Sequence, residues 1–202
     1  MKKRLTKIVL AASLLSMPAI AGADDEYNSL FGIEGGYTNV DVEQTTNNIV
    51  STIQKNGLAN GGIKIGAESQ NYRIFLSARY YDAKDFNKLD TVGAEFQYKF
   101  NFAKSANFFL GANAGKAYAK ISQKVFGNVV LNSANINSGY VGADAGLNIH
   151  ASKLIDLELG ARYMRMNKTI VQYDSVNNTF RKYNFDSLAT AYASIIFKWQ
   201  MD

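Results

Sequence analysis

The one trio that could assemble a base-activated nucleophile is His150, Ser152 and Asp156, within a span of seven residues. Such a group would serve acyl transfer, with Ser as nucleophile, His as base and Asp as its orienter. A polar residue in a tight turn accounts for His150 more simply, because its neighbours His150-Ala-Ser-Lys153 read as a short connection. A single His leaves no multi-histidine metal site. The absence of Cys from the 202 residues excludes disulfide scaffolds, thiolate metal sites and a lipid-modified N-terminal Cys. Gly35-Gly36 and Gly61-Gly62 are not phosphate-binding loops, since no helical pattern follows them. Neither spacing nor composition points to a cofactor. What remains for chemistry is a set of twelve charged residues in apolar surroundings, and their meaning depends on the elements that carry them.

The formal charge of +5 suggests nucleic acid until it is located along the chain. Four cations, Lys2, Lys3, Arg4 and Lys7, precede an apolar stretch from Ile8 to Ile20 and the small-residue frames Ala19/Ala21 and Ala21/Ala23. This is the layout of a cleaved secretory signal peptide, residues 1–23, interrupted by Ser13, Ser16 and Pro18 and too short to span a membrane. Cleavage after Ala21 or Ala23 fits, the latter leaving acidic Asp24 to open residues 24–202. Without residues 1–23 the 22 cations fall to 18 against 17 acids, a net charge of about +1, and the nucleic-acid reading collapses.

The rest of the chain alternates with period two, the signature of strands with unlike faces. Eight segments show it: 30–40, 58–68, 72–82, 89–100, 107–119, 139–149, 154–166 and 187–200. In the fifth, the phase becomes ambiguous near Lys116. Connections alternate too: short at 69–71, 101–106 and 150–153, longer and polar at 41–56, 83–88, 120–138 and 167–186. An up-and-down barrel with odd connections at one end and even ones at the other produces this asymmetry. No Pro follows Pro18 to interrupt a ladder.

One parity carries Glu34, Glu68, Glu95, Asp144, Asp156 and Glu158 against Lys64, Arg73, Arg79, Lys99, Arg162 and Lys198, six acids to six cations. Ten of the sixteen glycines share that face, with Phe75, Tyr81 and Tyr192. Glycine gains nothing on a solvated strand but fits a narrow lumen. Balanced charge is what an enclosed network requires, since a buried ion is tolerable only with a partner. A soluble lipocalin-type barrel would point its apolar face inward instead. Here the opposite parity lacks charge through the strand centres and gathers aromatics near strand ends: Tyr37, Tyr72, Tyr80, Tyr98, Phe100, Phe108, Tyr163 and Trp199. Those are interfacial girdles, and strands of about ten tilted residues match an apolar band of about 25 Å. The expectation is an all-β protein, an eight-stranded antiparallel up-and-down transmembrane barrel.

With these features the mature chain resembles the small eight-stranded outer-membrane barrels, the group of the OmpA membrane domain and the OmpX-like proteins. The closing segment Tyr192-Ala193-Ser194-Ile195-Ile196-Phe197-Lys198-Trp199 resembles the family's last strand, in which alternate apolar residues and a terminal aromatic address the insertion machinery. Ile195, Phe197 and Trp199 match that spacing, although Gln200, Met201 and Asp202 follow. The resemblance implies short periplasmic turns, longer extracellular loops, the outer membrane of a Gram-negative cell, and surrounding lipid as partner. It also implies envelope structure and surface or host contact, with no nucleic acid. The expected function is non-enzymatic, with a plugged polar lumen and loops that carry specificity. A narrow porin-like channel and a lipid-modifying enzyme are the alternatives. Apolar loop residues such as Val125, Phe126 and Tyr173 are expected to extend the hairpins above the membrane or to touch a partner.

Overall fold

The computed structural model describes residues 27–46, 49–82, 88–121, 125–126, 129–130, 134–174 and 179–200; the signal segment 1–23 and its cleavage site lie outside them. Eight long strands run β1 (Asn28–Thr46), β2 (Ile49–Glu68), β3 (Tyr72–Tyr81), β4 (Lys88–Ala103), β5 (Ala106–Ile121), β8 (Ala134–His150), β9 (Ile155–Asp174) and β10 (Thr179–Gln200). Two short strands, β6 (Val125–Phe126) and β7 (Val129–Val130), pair with each other between β5 and β8. The long strands form one closed antiparallel barrel in chain order, β10 returning to β1. Closure leaves no edge strand, as a bilayer demands of any sheet that crosses it.

Following paired residues once around, from Asn39 through Ala189, Tyr163, Ala143, Ala112, Phe96, Ile74 and Ala67, returns to β1 at Ser29, ten residues lower. Eight strands with that stagger tilt by about 40° and enclose only a packed column of side chains. The short connections are tied by backbone bonds, among them Ser69 N–H to Tyr72 O (2.9 Å) and Ser152 N–H to Ile155 O (3.0 Å).

Burial follows parity along every strand through the membrane. On β3, Arg73, Phe75, Ser77, Arg79 and Tyr81 are buried, whereas Ile74, Ala78 and Tyr80 are exposed to the outside. On β5 the phase continues unbroken past the ambiguous point: Ala117 and Ala119 point inward and Lys116 outward. The long polar connections are shorter than expected. Pairing persists to Thr46↔Ile49 and to Asp174↔Thr179, so 41–56 and 167–186 are mostly hairpin. Register shifts fall at Val42/Gln44 and Phe185/Ser187, where the membrane-crossing portion gives way to these extensions.

Candidate functional site: the barrel lumen

The lumen is stacked in layers. Tilt and register bring charges from strands far apart in sequence to one level, and each strand's inward parity fixes their direction. At the periplasmic end, Arg73 donates through Nε to Glu68 (2.7 Å) and through Nη2 to Asp156. Lys99 reaches Glu68 at 3.1 Å, Lys198 reaches Asp156 at 2.9 Å, and Lys64 reaches Glu158 at 2.6 Å. Phe75, Leu30 and Ile196 pack between these groups, and the Lys64 ammonium lies 4.8 Å from the Phe75 ring.

A second cluster occupies the middle. Arg79 donates through Nε to Glu34 (2.7 Å) and through Nη2 to Glu95. Arg162 faces it across the lumen, donating to Glu34 at 2.8 Å and to Glu95 at 3.3 Å. Two cations therefore share two carboxylates, and the arrangement neutralises itself. The Arg162 guanidinium also lies 4.3 Å from the Tyr192 ring, which fills the space left by Gly160.

Eleven of the twelve charges singled out in the sequence thus meet an opposite charge. Asp144 departs from the expected pairing: among the described residues it has no cation partner. Its carboxylate is held instead by the Asn113 and Gln97 amides, at 3.1 and 3.2 Å. The lower cluster correspondingly has four cations to three carboxylates, so balance holds over the whole lumen but not within each layer. Amides supply what parity could not reveal, because Gln and Asn carry no charge to count.

Above both clusters lies a layer of which the alternation pattern singled out only Tyr81. Val40, Leu58, Tyr81, Leu89, Met164 and Leu188 form an inward apolar plug with Tyr140 and Met166 at the level of the outer tyrosines. Its signal was present as the same inward parity carried two to four residues further along each strand. It was hidden because apolar residues on the polar face look like the end of a strand.

His150 and Asp156 are indeed adjacent, with Nδ1 2.8 Å from Oδ1. The other ring nitrogen sits 3.2 Å from the Asn107 amide, whose oxygen accepts from Asn148 at 2.8 Å. Ser152 stands apart from this relay, its Oγ accepting from the Leu154 N–H at 3.1 Å. The trio expected of a hydrolase is therefore not assembled among these residues. Ile195, Phe197 and Trp199 all point outward into the apolar belt.

The outer surface completes the class of protein. Tyr37, Tyr80, Tyr118 and Tyr163 ring the extracellular side. Phe31, Tyr72, Tyr98, Phe100, Phe108 and Trp199 ring the other, where Tyr98 and Phe100 meet edge to face at 4.9 Å. Ile, Leu, Val and Ala lie between them, exposed by tens of per cent, as only a lipid-facing surface tolerates. This is a transmembrane β-barrel.

Residues 8–189 match the outer membrane protein beta-barrel domain family, and the chain belongs to it. It is a Gram-negative outer-membrane protein. No curated protein matches the chain. Among solved structures it is similar to Neisserial surface protein A, 16% identical over 84% of this chain and 97% of that one, with a TM-score of 0.57. It is also similar to OprG of Pseudomonas aeruginosa, 13% identical over 86% and 97% (TM-score 0.52), and to OprH of P. aeruginosa, 18% identical over 85% and 99% (TM-score 0.51). At such identities the likeness is one of fold.

Proposed function

We propose that the protein is a non-enzymatic envelope component, a closed barrel whose lumen does not conduct and whose extracellular hairpins present any binding surface to extracellular or host ligands. The layered lumen carries this reading: two ion-paired clusters and an apolar plug occupy the column from end to end. An eight-stranded barrel has no width to spare for a water path beside them. The engagement of His150 by Asp156 and Asn107, away from Ser152, supports a structural role for that histidine rather than lipid chemistry. Exported chains would reach the insertion machinery through Ile195, Phe197 and Trp199.

Planar-bilayer recording of the purified protein tests the closed lumen. Silence is expected; stable, reproducible conductance steps would favour the porin-like alternative. A binding screen with hairpin 167–186 deleted beside the intact protein then tests where specificity resides. Loss of a ligand by a barrel that still folds assigns the contact to that hairpin.

A further inference from the structure

The stagger of the barrel sets Asp144 of β8 level with Glu34 of β1 and Glu95 of β4. At that height three carboxylates face two guanidinium groups, Arg79 and Arg162. Arg162 is the row neighbour of Asp144, yet it directs both terminal nitrogens to Glu34 and Glu95. Lys64, whose Cα lies near the same height, is taken by Glu158 at 2.6 Å. The compensating cations, Lys99 and Lys198, lie lower, at the periplasmic mouth, and are committed to Glu68 and Asp156. The middle layer is therefore short of one positive charge, in a place where burial strips a carboxylate of water.

Around Asp144, oxygens outnumber the donors that could serve them. Asn113 and Gln97 each give it an N–H, at 3.1 and 3.2 Å, which leaves each amide its oxygen. Those two oxygens, Asn113 Oδ1 and Gln97 Oε1, are buried without a partner among the described residues. Asn113 is 5% exposed and Gln97 0%, so outside water does not reach them. The unpartnered Tyr140 hydroxyl lies just above, over Gly93 and Gly115. Glycine makes the recess in which these groups meet. Asp144 lies across β5, where a Cβ at Gly111 would stand 2.8 Å from both carboxylate oxygens. Asn113 lies across β8, where a Cβ at Gly142 would stand 2.6 Å from Oδ1. Hard oxygen ligands with a single formal charge among them suit a monovalent metal ion. A divalent ion would leave the layer positive, and such ions gather more carboxylates.

We propose that the lumen holds an alkali-metal cation, Na+ or K+, at the β4–β5–β8 wall, with the Asp144 carboxylate and the Asn113 and Gln97 amide oxygens as its ligands. The ion neutralises the middle layer and gives the orphaned oxygens a partner. It is captured from solution as the barrel closes, so the site is independent of whether the finished lumen conducts.

The test is equilibrium urea unfolding in phosphatidylcholine vesicles, with NaCl or KCl replacing choline chloride at constant ionic strength. Choline is too bulky for the recess, and mildly alkaline buffer keeps a proton from standing in for the metal. The wild-type midpoint is expected to rise with alkali ion. Above the dissociation constant, each tenfold increase in that ion multiplies the folded-to-unfolded ratio by about ten. Asp144→Asn removes the charge and keeps the shape. Its midpoint in choline should exceed that of the wild type, and alkali ions should leave it unmoved. Asp186→Asn, which removes an exposed carboxylate, should respond as the wild type does. Equal wild-type midpoints in choline and alkali salts would overturn the site, since water alone would then serve these oxygens. An undiminished alkali response in Asp144→Asn would overturn it too, as would a stronger wild-type response to Ca2+ than to either alkali ion. Should Asp144→Asn fail to fold, Gln97→Leu, which keeps the carboxylate and loses a ligand, is expected to need several-fold more alkali ion for the same shift. A wild-type response in that variant would be a refutation.

Discussion

At the scale of single residues, Arg162 does most to hold the lumen. It donates to Glu34 and Glu95 at once, is essentially inaccessible, and packs on Tyr192. Its replacement by Met strands two buried carboxylates that keep only Arg79 between them. A buried pair broken from one side typically costs about 3–5 kcal/mol. Urea unfolding in lipid vesicles should therefore show Arg162→Met destabilised by that order, and Lys198→Met, at the half-open mouth, by clearly less. The same measurement separates the glycines. A Cβ at Gly160 would lie 2.6 Å from the Tyr192 ring, which the cations around it hold in place, so Gly160→Ala should cost about 1–3 kcal/mol through overpacking. Outward Gly61 faces open space, with its nearest neighbour at 3.8 Å, so Gly61→Ala should be neutral or slightly stabilising. Parity alone shows which charges enter the lumen, but not whom they meet. Glu34 and Arg162 sit 128 positions apart on strands that are not neighbours, and only closure with a definite stagger brings them face to face.

At the scale of strands, alternation is legible where the two faces see different media and vanishes where both are wet. That is why 30–40 reads clearly as a strand whereas 41–46 reads as loop, though β1 pairs through both with a register shift at Val42/Gln44. Above the membrane the hydrogen-bonded ladder continues without any hydrophobic pattern to announce it. The phase lapse at Lys116 has a different cause: a cation at the interface mimics an inward charge, and only its neighbours' burial resolves it. Depth along the tilted strands also sets a gradient of tolerance. Leu76 lies outward near the midplane, whereas Asn39 stands level with the girdle. Leu76→Arg is expected to cost about 2–4 kcal/mol and Asn39→Arg about 0–1 kcal/mol. Refolding titrations into vesicles measure both. Equal penalties at the two sites would mean that the apolar belt has been placed at the wrong height.

At the scale of the whole molecule, the closed lumen proposed above rests on two unlike layers, which would seal it by different physics. On that reading the ion-paired clusters block it by occupancy: their side chains are buried across a narrow column, and moving any one of them strands a charge. The upper layer of Val40, Leu58, Leu89, Met164 and Leu188 blocks it by offering water no partner, as hydrophobic constrictions do in channels. Net charge and composition revealed only the first seal, since balanced ions can be counted from sequence but a misplaced apolar layer cannot be told from a strand end. The two seals predict a non-additive response. Replacing Glu34, Arg79, Glu95 and Arg162 together by Ser removes the middle cluster as two balanced pairs and leaves Asp144 to the Asn113 and Gln97 amides, yet the apolar layer still stands above it. That variant should fold and stay silent in planar bilayers. Adding Leu58→Ser and Leu188→Ser to it wets the upper layer, and conductance steps should then appear, admitting ions as far as the lower cluster's remaining constriction permits. If the fourfold variant conducts by itself, the apolar layer is no seal, and closure belongs to the ion pairs alone.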